Sequence, residues 1–177
     1  MPMAVINLRN NSIQIRDACP EELDKVSLLL KTAYQQYENF IPSGAWQSYL
    51  DDIMNVRSRL EMADLIVAEL NGKLLGTVTL YLKVSGSSEE PWPKGWAGIR
   101  LLAVDPGHRG QGVGRALMDE CVGRCREQCI KTIGLHTTEF MNVARRIYAQ
   151  MGFTRAPEFD FHPAAGVVVM AYRLNLQ

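Results

Sequence analysis

The chain has 177 residues, its 19 Lys and Arg are matched by 19 Asp and Glu, and 47% of its positions are hydrophobic, enough to build a core. A chain of that length folds as one domain, here 1–177, and buries about 70% of its unfolded surface without a metal or disulfide staple. Zero net charge excludes a nucleic-acid-coating protein or an acidic disordered tail, and no apolar run approaches the ~18 residues of a membrane-spanning helix. The opening MPMAVINLRNN lacks the basic flank and apolar core of an export signal, so a soluble, cytoplasmic domain is expected, with no membrane or nucleic-acid partner.

Residues 12–16, SIQIR, alternate apolar and polar as a half-buried strand does. Pro20, Glu21 and Glu22 mark a helix start, since proline suits the first helical position and carboxylates suit the dipole. Leu23, Val26, Leu30, Ala33, Tyr34 and Tyr37 then recur at helical spacing. Pro42–Gly44 breaks that pattern, and a second helix carries Trp46, Tyr49, Leu50, Ile53, Val56 and Leu60 on its apolar side. LIVAEL and KLLGTVTLYLK flank Asn71-Gly72, a pair that supplies the positive φ angles of a tight hairpin turn. Residues 84–95 are polar and rich in Gly, Ser and Pro, which predicts a mobile loop.

WAGIRLLAV, 96–104, reads as a buried strand interrupted at Gly98 and stopped by Asp105-Pro106-Gly107. A helix beginning near Gly112 turns Ala116, Leu117, Cys121, Cys125 and Cys129 inward. IGLHT at 133–137 is a strand, Met141–Met151 a helix ended by Gly152, and VVVMAYRL at 167–174 a final strand. Strands and helices alternate through this second half, so part of the sheet is expected to be parallel.

Cys121, Cys125 and Cys129 recur every four residues with no second Cys or His pair at ligand spacing, so they read as small apolar packing residues and no metal is expected. His108, His136 and His162 are scattered.

The segment that carries chemistry is LLAVDPGHRGQGVGRALMDE, 101–120, a buried strand running through a glycine-rich turn into a helix. The first amides of a helix lack intrahelical partners and, with the dipole, attract an anion. Gly110, Gly112 and Gly114 keep side chains away from those amides, and Arg109 and Arg115 add charge. A phosphate loop of the Walker kind would end in Gly-Lys-Ser/Thr, but Gly114-Arg115-Ala116 stands there. A dinucleotide fingerprint needs a glycine where Arg115 sits. The local pattern thus leaves open both an unnamed phosphate ligand and a turn with no ligand.

Arg109-Gly110-Gln111-Gly112-Val113-Gly114 resembles the R/Q-x-x-G-x-G/A motif of the GNAT superfamily of acyl-CoA-dependent N-acyltransferases. LLAVDP resembles that family's fourth strand, and Ala144, Tyr148 and Gly152-Phe153 resemble its A-x-x-x-Y-x-x-x-G-F segment, so the match spans about residues 65–155. The resemblance implies an α/β (α+β) fold: a mixed, mostly antiparallel sheet with a splayed parallel central pair and helices on both faces. It implies an N-acetyltransferase that moves an acetyl group from acetyl-CoA to a primary amine in a ternary complex, with no metal, and often a homodimer.

The same resemblance implies that the turn from Gln111 to Arg115, with Arg109 and Gly110 before it, holds the CoA diphosphate. It places the pantetheine arm on the main chain of Leu102, Ala103 and Val104, and makes Tyr148 the group that protonates the departing thiolate. Arg109, Arg115, Arg145 and Arg146 all fall in the segments expected to flank that polyanion. Two positions depart from the family pattern: Gly98 stands where many members carry a glutamate base, and Met141 where many carry a CoA-contacting Asn, with Asn142 one position out of phase. Deprotonation of the amine then needs another group, for which Glu139, His136 and Asp160 are the candidates, an ordered water held by backbone carbonyls, or an amine that arrives neutral. The missing glutamate also leaves a second reading, a CoA-binding sensor that has lost catalysis.

Acceptor sites in such folds are built by the first two helices, the loop before the fourth strand and the C-terminal strands. Tyr34, Tyr37, Trp46 and Tyr49 bring aromatics there, with Tyr34, Tyr37 and Asp160 as the acceptor-contacting candidates. Glu158, Asp160 and His162 are candidates to hold a cationic amine, and Trp92 and Trp96 to form a lid.

Overall fold

The computed structural model describes residues 5–8, 11–83 and 92–177. Its strands are β1 (Val5–Leu8), β2 (Asn11–Asp17), β3 (Asp64–Leu70), β4 (Lys73–Tyr81), β5 (Ala97–Val104), β6 (Thr132–Thr138), β7 (Thr154–Arg155), β8 (Phe161–Ala164) and β9 (Val167–Asn175). The α-helices are α1 (Leu23–Tyr34), α2 (Ser43–Met54), α3 (Val56–Arg59), α4 (Val113–Glu127) and α5 (Asn142–Gln150). The sheet runs β1-β2-β3-β4-β5-β6-β9-β7, with β8 also on β9, and every pairing is antiparallel except β5 with β6. Among the described residues no helix is long and apolar enough to cross a membrane.

Helices cover both faces. Ile13, Ile15, Leu75, Leu117, Cys121 and Tyr148 share one core cluster on the α4–α5 side. Leu23, Leu30, Trp46, Ile53, Leu65 and Leu101 share the other, under α1 and α2. Asn71 and Gly72 take φ of 51° and 80°, the left-handed pair expected between β3 and β4.

The break in β5 is at Leu101, not Gly98. Gly98 pairs normally with Tyr81 on one side and Gly134 on the other. Thr79 faces Arg100 and Thr77 faces Ala103, so β5 holds one residue more than β4 across this stretch. Leu101 absorbs it at φ 57°, a left-handed conformation that costs a leucine about 1–2 kcal/mol. The bulge reverses which side of the sheet each residue faces. Ala97 and Ile99 pack toward α4, whereas Leu101 and Ala103 pack toward α1 and α2. Pairing with β6 stops at Ile99–Leu135, and beyond it the parallel strands diverge.

Three local readings change. The second helix is two, because Asn55 turns out of helical geometry and buried Arg59 donates to the Asp52 and Ile53 carbonyls at the end of α2, at 2.8 and 2.6 Å. Cys129 is not inward: α4 ends at Glu127, and Cys129 is exposed with φ 56°. Trp92 is no lid: it is 2% exposed, stacked on Trp96 and on His136, while 84–91 of the predicted loop lie outside the described residues.

Trp92 is fixed by Gly134. A Cβ at Gly134 would lie 2.4 Å from Trp92 Cδ2, against a ring that is buried and stacked and has nowhere to retreat. Gly134→Ala is therefore expected to destabilise the fold by about 1–3 kcal/mol. A melting curve indistinguishable from the parent would contradict that.

Candidate active site

The site begins where β5 leaves β6. Past Ile99 no strand among the described residues pairs with β5 on its β6 side, so a length of main chain is left open at the centre of the sheet. Leu102 and Val104 lean on the α4 core and Ala103 on the α1–α2 core. The strand ends at Asp105, whose amide donates to Leu75 at 2.8 Å and whose carboxylate accepts from the Gly107 amide at 2.8 Å. His108 beside it and that amide keep the Asp105 carboxyl below its ordinary range.

The glycine-rich turn follows. Gly110 and Gly112 have φ of 74° and 83°, and Gly112 caps α4 without any side-chain hydrogen bond. The first bond into the helix is Ala116 to Gly112 at 3.0 Å. The amides of Gly110, Gln111, Gly112, Val113, Gly114 and Arg115 donate to no protein atom among the described residues. A Cβ on Gly110 or Gly112 would meet nothing within 4 Å, so the space over these amides is open. Unpaired amides, a 15-residue helix dipole and open space fit a diphosphate-bearing ligand. At Gly114 the fit is inward instead, since a Cβ there would press Ile147 at 3.1 Å.

The arginines expected to flank that ligand are mostly occupied. Arg109 donates to Gln36 and the Ala33 carbonyl at the end of α1, at 3.0 and 3.2 Å. Arg115 pairs with Asp119 at 2.9 Å, and Arg145 donates to the Glu139 carbonyl at 3.1 Å. The buried Arg145 Nε has no partner among the described residues.

Tyr148, on α5, is 5% exposed and its ring packs on Phe153. Burial raises its pKa, and Tyr37, Cys121 and Tyr49 are the neighbours that add to the rise, so it stays a phenol. Its hydroxyl has no protein acceptor among the described residues. Tyr34 is buried too and turns its hydroxyl toward the Leu102 carbonyl, 3.5 Å away. Tyr37 packs edge-on to Tyr34 and tilts against Phe140.

On the other side of the splay lies a cavity of about 760 Å³, walled by α1, α2, β5, β6 and the β8–β9 hairpin. Tyr34, Tyr49, His136, Met141 and Asp160 line it; Tyr37, Tyr148, Glu139 and His162 do not, and the last two are exposed. Asp160 is committed elsewhere: it accepts from Arg155 at 2.6 Å and from the Ala171 amide at 2.7 Å. Arg155 above all holds its carboxyl down at about 2, which removes it as a base. Glu158 pairs with Arg173 at 2.9 Å.

His136 is the remaining candidate. Its Nε2 lies 2.9 Å from the Phe159 carbonyl, an acceptor only, so the proton sits on Nε2 and Nδ1 keeps its lone pair. Burial lowers its pKa below the usual histidine value, with Arg100 pushing the same way and the Phe159 carbonyl and Asp160 opposing. The Asp52–Arg100 pair, 3.2 Å across the cavity wall, had no sequence signal, because 48 residues separate its members.

Two curated relatives are similar in sequence. Mycothiol acetyltransferase of Cellulomonas flavigena is 36% identical over 96 residues, 52% of this chain and 27% of that protein. N-acetyltransferase 8B of Mus musculus is 28% identical over 134 residues, 75% of this chain and 55% of that protein. The chain thus spans between about a quarter and about half of these relatives' lengths. In fold, it resembles the PaiA N-acetyltransferase of Thermoplasma acidophilum, solved in complex with coenzyme A, with a TM-score of 0.71 and 15% identity over 90% of this chain and 98% of that one. The Acetyltransferase (GNAT) family model matches residues 28–153, from within α1 through the splayed β5–β6 pair, the glycine-rich turn and the Tyr148 helix, and the chain belongs to that family.

Proposed function

We propose that the protein transfers an acetyl group from acetyl-CoA to a primary amine with both held at once. The observation that carries this reading is continuity: six unpaired amides leading into α4 follow, after the short turn through Pro106–His108, on a strand whose inner edge is open, and the cavity lies beyond that edge. Acetyl-CoA, when bound, supplies an activated thioester carbonyl and a thiolate leaving group. The amides from Gly110 to Arg115, with Gly112 at their centre, hold its diphosphate, and the main chain of Leu102, Ala103 and Val104 takes up the pantetheine arm. Arg109 acts by fixing the turn to α1 rather than by direct charge contact.

Tyr148 holds a proton on an unpartnered hydroxyl and is the donor. His136 Nδ1 is the acceptor for the amine proton, in place of the carboxylate that Gly98 cannot provide. Neutral His136 is the active form, and its pKa is lowered, so His136 contributes a rise of kcat with pH through a value below about 6.5. His136→Gln should reduce kcat by about 100-fold and remove that acid-side fall. A mutant profile that keeps the acid limb would exclude this role.

The test of the function is amine-dependent release of free CoA thiol together with a rise in melting temperature on adding acetyl-CoA. A rise without release across a broad amine panel would mark the chain as a CoA-binding sensor. No rise at all would remove the acetyl-CoA site.

A further inference from the structure

The cavity beside the splay differs in kind from the surface around it. Rings from five separate segments face it: Tyr34, Tyr49, Trp92, Phe140, Phe159 and Phe161. Trp92 stacks on His136 with centroids 4.5 Å apart, and Phe161 meets the same imidazole edge-on at 5.1 Å. The aromatic wall therefore surrounds the group assigned to accept the amine proton.

The charges in the wall are spent. Asp52 is bridged to Arg100 at 3.2 Å, Glu158 to Arg173 at 2.9 Å, and Asp160 to Arg155 at 2.6 Å. Each of the three lining carboxylates thus has its own guanidinium. A polyamine or an aminoglycoside carries several ammonium groups into a site, and each needs a carboxylate that is not already neutralised. A free amino acid brings a carboxylate, and the guanidinium that lines the cavity among the described residues, Arg100, is already bridged to Asp52. A monoamine on an uncharged ring brings one ammonium, which the faces of the lining rings can hold, and no carboxylate. Its ring fills the apolar volume, with pocket rings as partners in edge-on or offset geometry.

We infer that the acceptor of this cavity is a primary amine borne on an uncharged aromatic body, of the size of 2-phenylethylamine or tryptamine. The kinetic side of this inference rests on the acetyl-transfer reading above; the binding side rests on the cavity alone.

The experiment has two arms. In the first, 2-phenylethylamine is titrated against tryptophan fluorescence, which Trp92 reports from inside the wall, in the parent and in Ala164→Trp, which places an indole in the cavity. Saturable quenching in the parent, weakened by at least about tenfold in the variant, is expected. Retention of the acetyl-CoA melting shift by the variant verifies its fold. In the second arm, kcat/KM is compared among 2-phenylethylamine, spermidine, kanamycin and glycine. The aromatic amine is expected to lead by about 100-fold. Spermidine, kanamycin or glycine matching it, or an absence of saturable quenching, overturns the inference while leaving acetyl transfer in place. Quenching as expected with no acetyl-CoA melting shift supports the aromatic cavity and overturns acetyl transfer instead.

Discussion

Gly112→Val is expected to weaken acetyl-CoA binding by at least about 100-fold while the protein remains folded. Two effects separate cleanly at this position. Gly112 has φ 83°, so a β-branched residue strains the folded state by about 1–2 kcal/mol, which in a chain of this size lowers the melting temperature by about 2–8 °C. No steric penalty adds to that, because a Cβ there meets no protein atom within 4 Å. The same open volume is where a diphosphate would contact the amides, and valine methyl groups would occupy it. Calorimetric titration with acetyl-CoA, beside a thermal melt, reads both quantities. An unchanged dissociation constant would sink the assignment of the turn.

Tyr148→Phe should lower kcat by about 100-fold and leave acetyl-CoA affinity and thermal stability nearly unaltered. The ring keeps its packing on Phe153, and the hydroxyl it loses has no protein acceptor among the described residues, so nothing in the fold is left unsatisfied. Only a role toward bound substrate would reveal the deletion. Steady-state rates at saturating acetyl-CoA decide it, and an unaltered kcat removes Tyr148 from the reaction. Because burial pushes its pKa up, no alkaline fall in rate from Tyr148 ionisation is expected below pH 10.

The parts of this molecule that depend on local chemistry could be read from its residues. Asn71-Gly72, the alternation at Ile13 and Ile15, and the Gly110–Gly112 turn each announce their backbone conformation through side chains that suit it. Leu101 announces nothing. Leucine does not favour φ 57°, so the bulge is imposed by packing between two helical layers, and the expectation of a break at Gly98 followed the wrong residue. The short β1, β7 and β8 escaped for a related reason: they are ordered by their neighbours in the sheet rather than by their own pattern.

Within the candidate site, the places of Tyr148 on α5 and of the glycine-rich turn before α4 were legible because motif spacing locates them. Asp160, named as an acceptor contact and a possible base, does line the cavity, but Arg155 and the Ala171 amide hold its carboxylate, which counts against the base. A carboxylate's partners are a tertiary fact. The selection of His136 among the candidate bases likewise depended on the Phe159 carbonyl, 23 residues away, which settles where the imidazole proton sits.

The three-residue junction between β5 and β6 divides the sheet into two antiparallel halves, one from β1 to β5 and one from β6 to β9. Among the described residues, Ala97, Gly98 and Ile99 alone stitch these two halves by backbone pairing, so the seam between them is short. Acetyl-CoA held along the free edge of β5, as proposed, would bridge that seam. On the proposed reading the ligand site is also a joint, and acetyl-CoA is expected to slow amide hydrogen exchange on both sides of it.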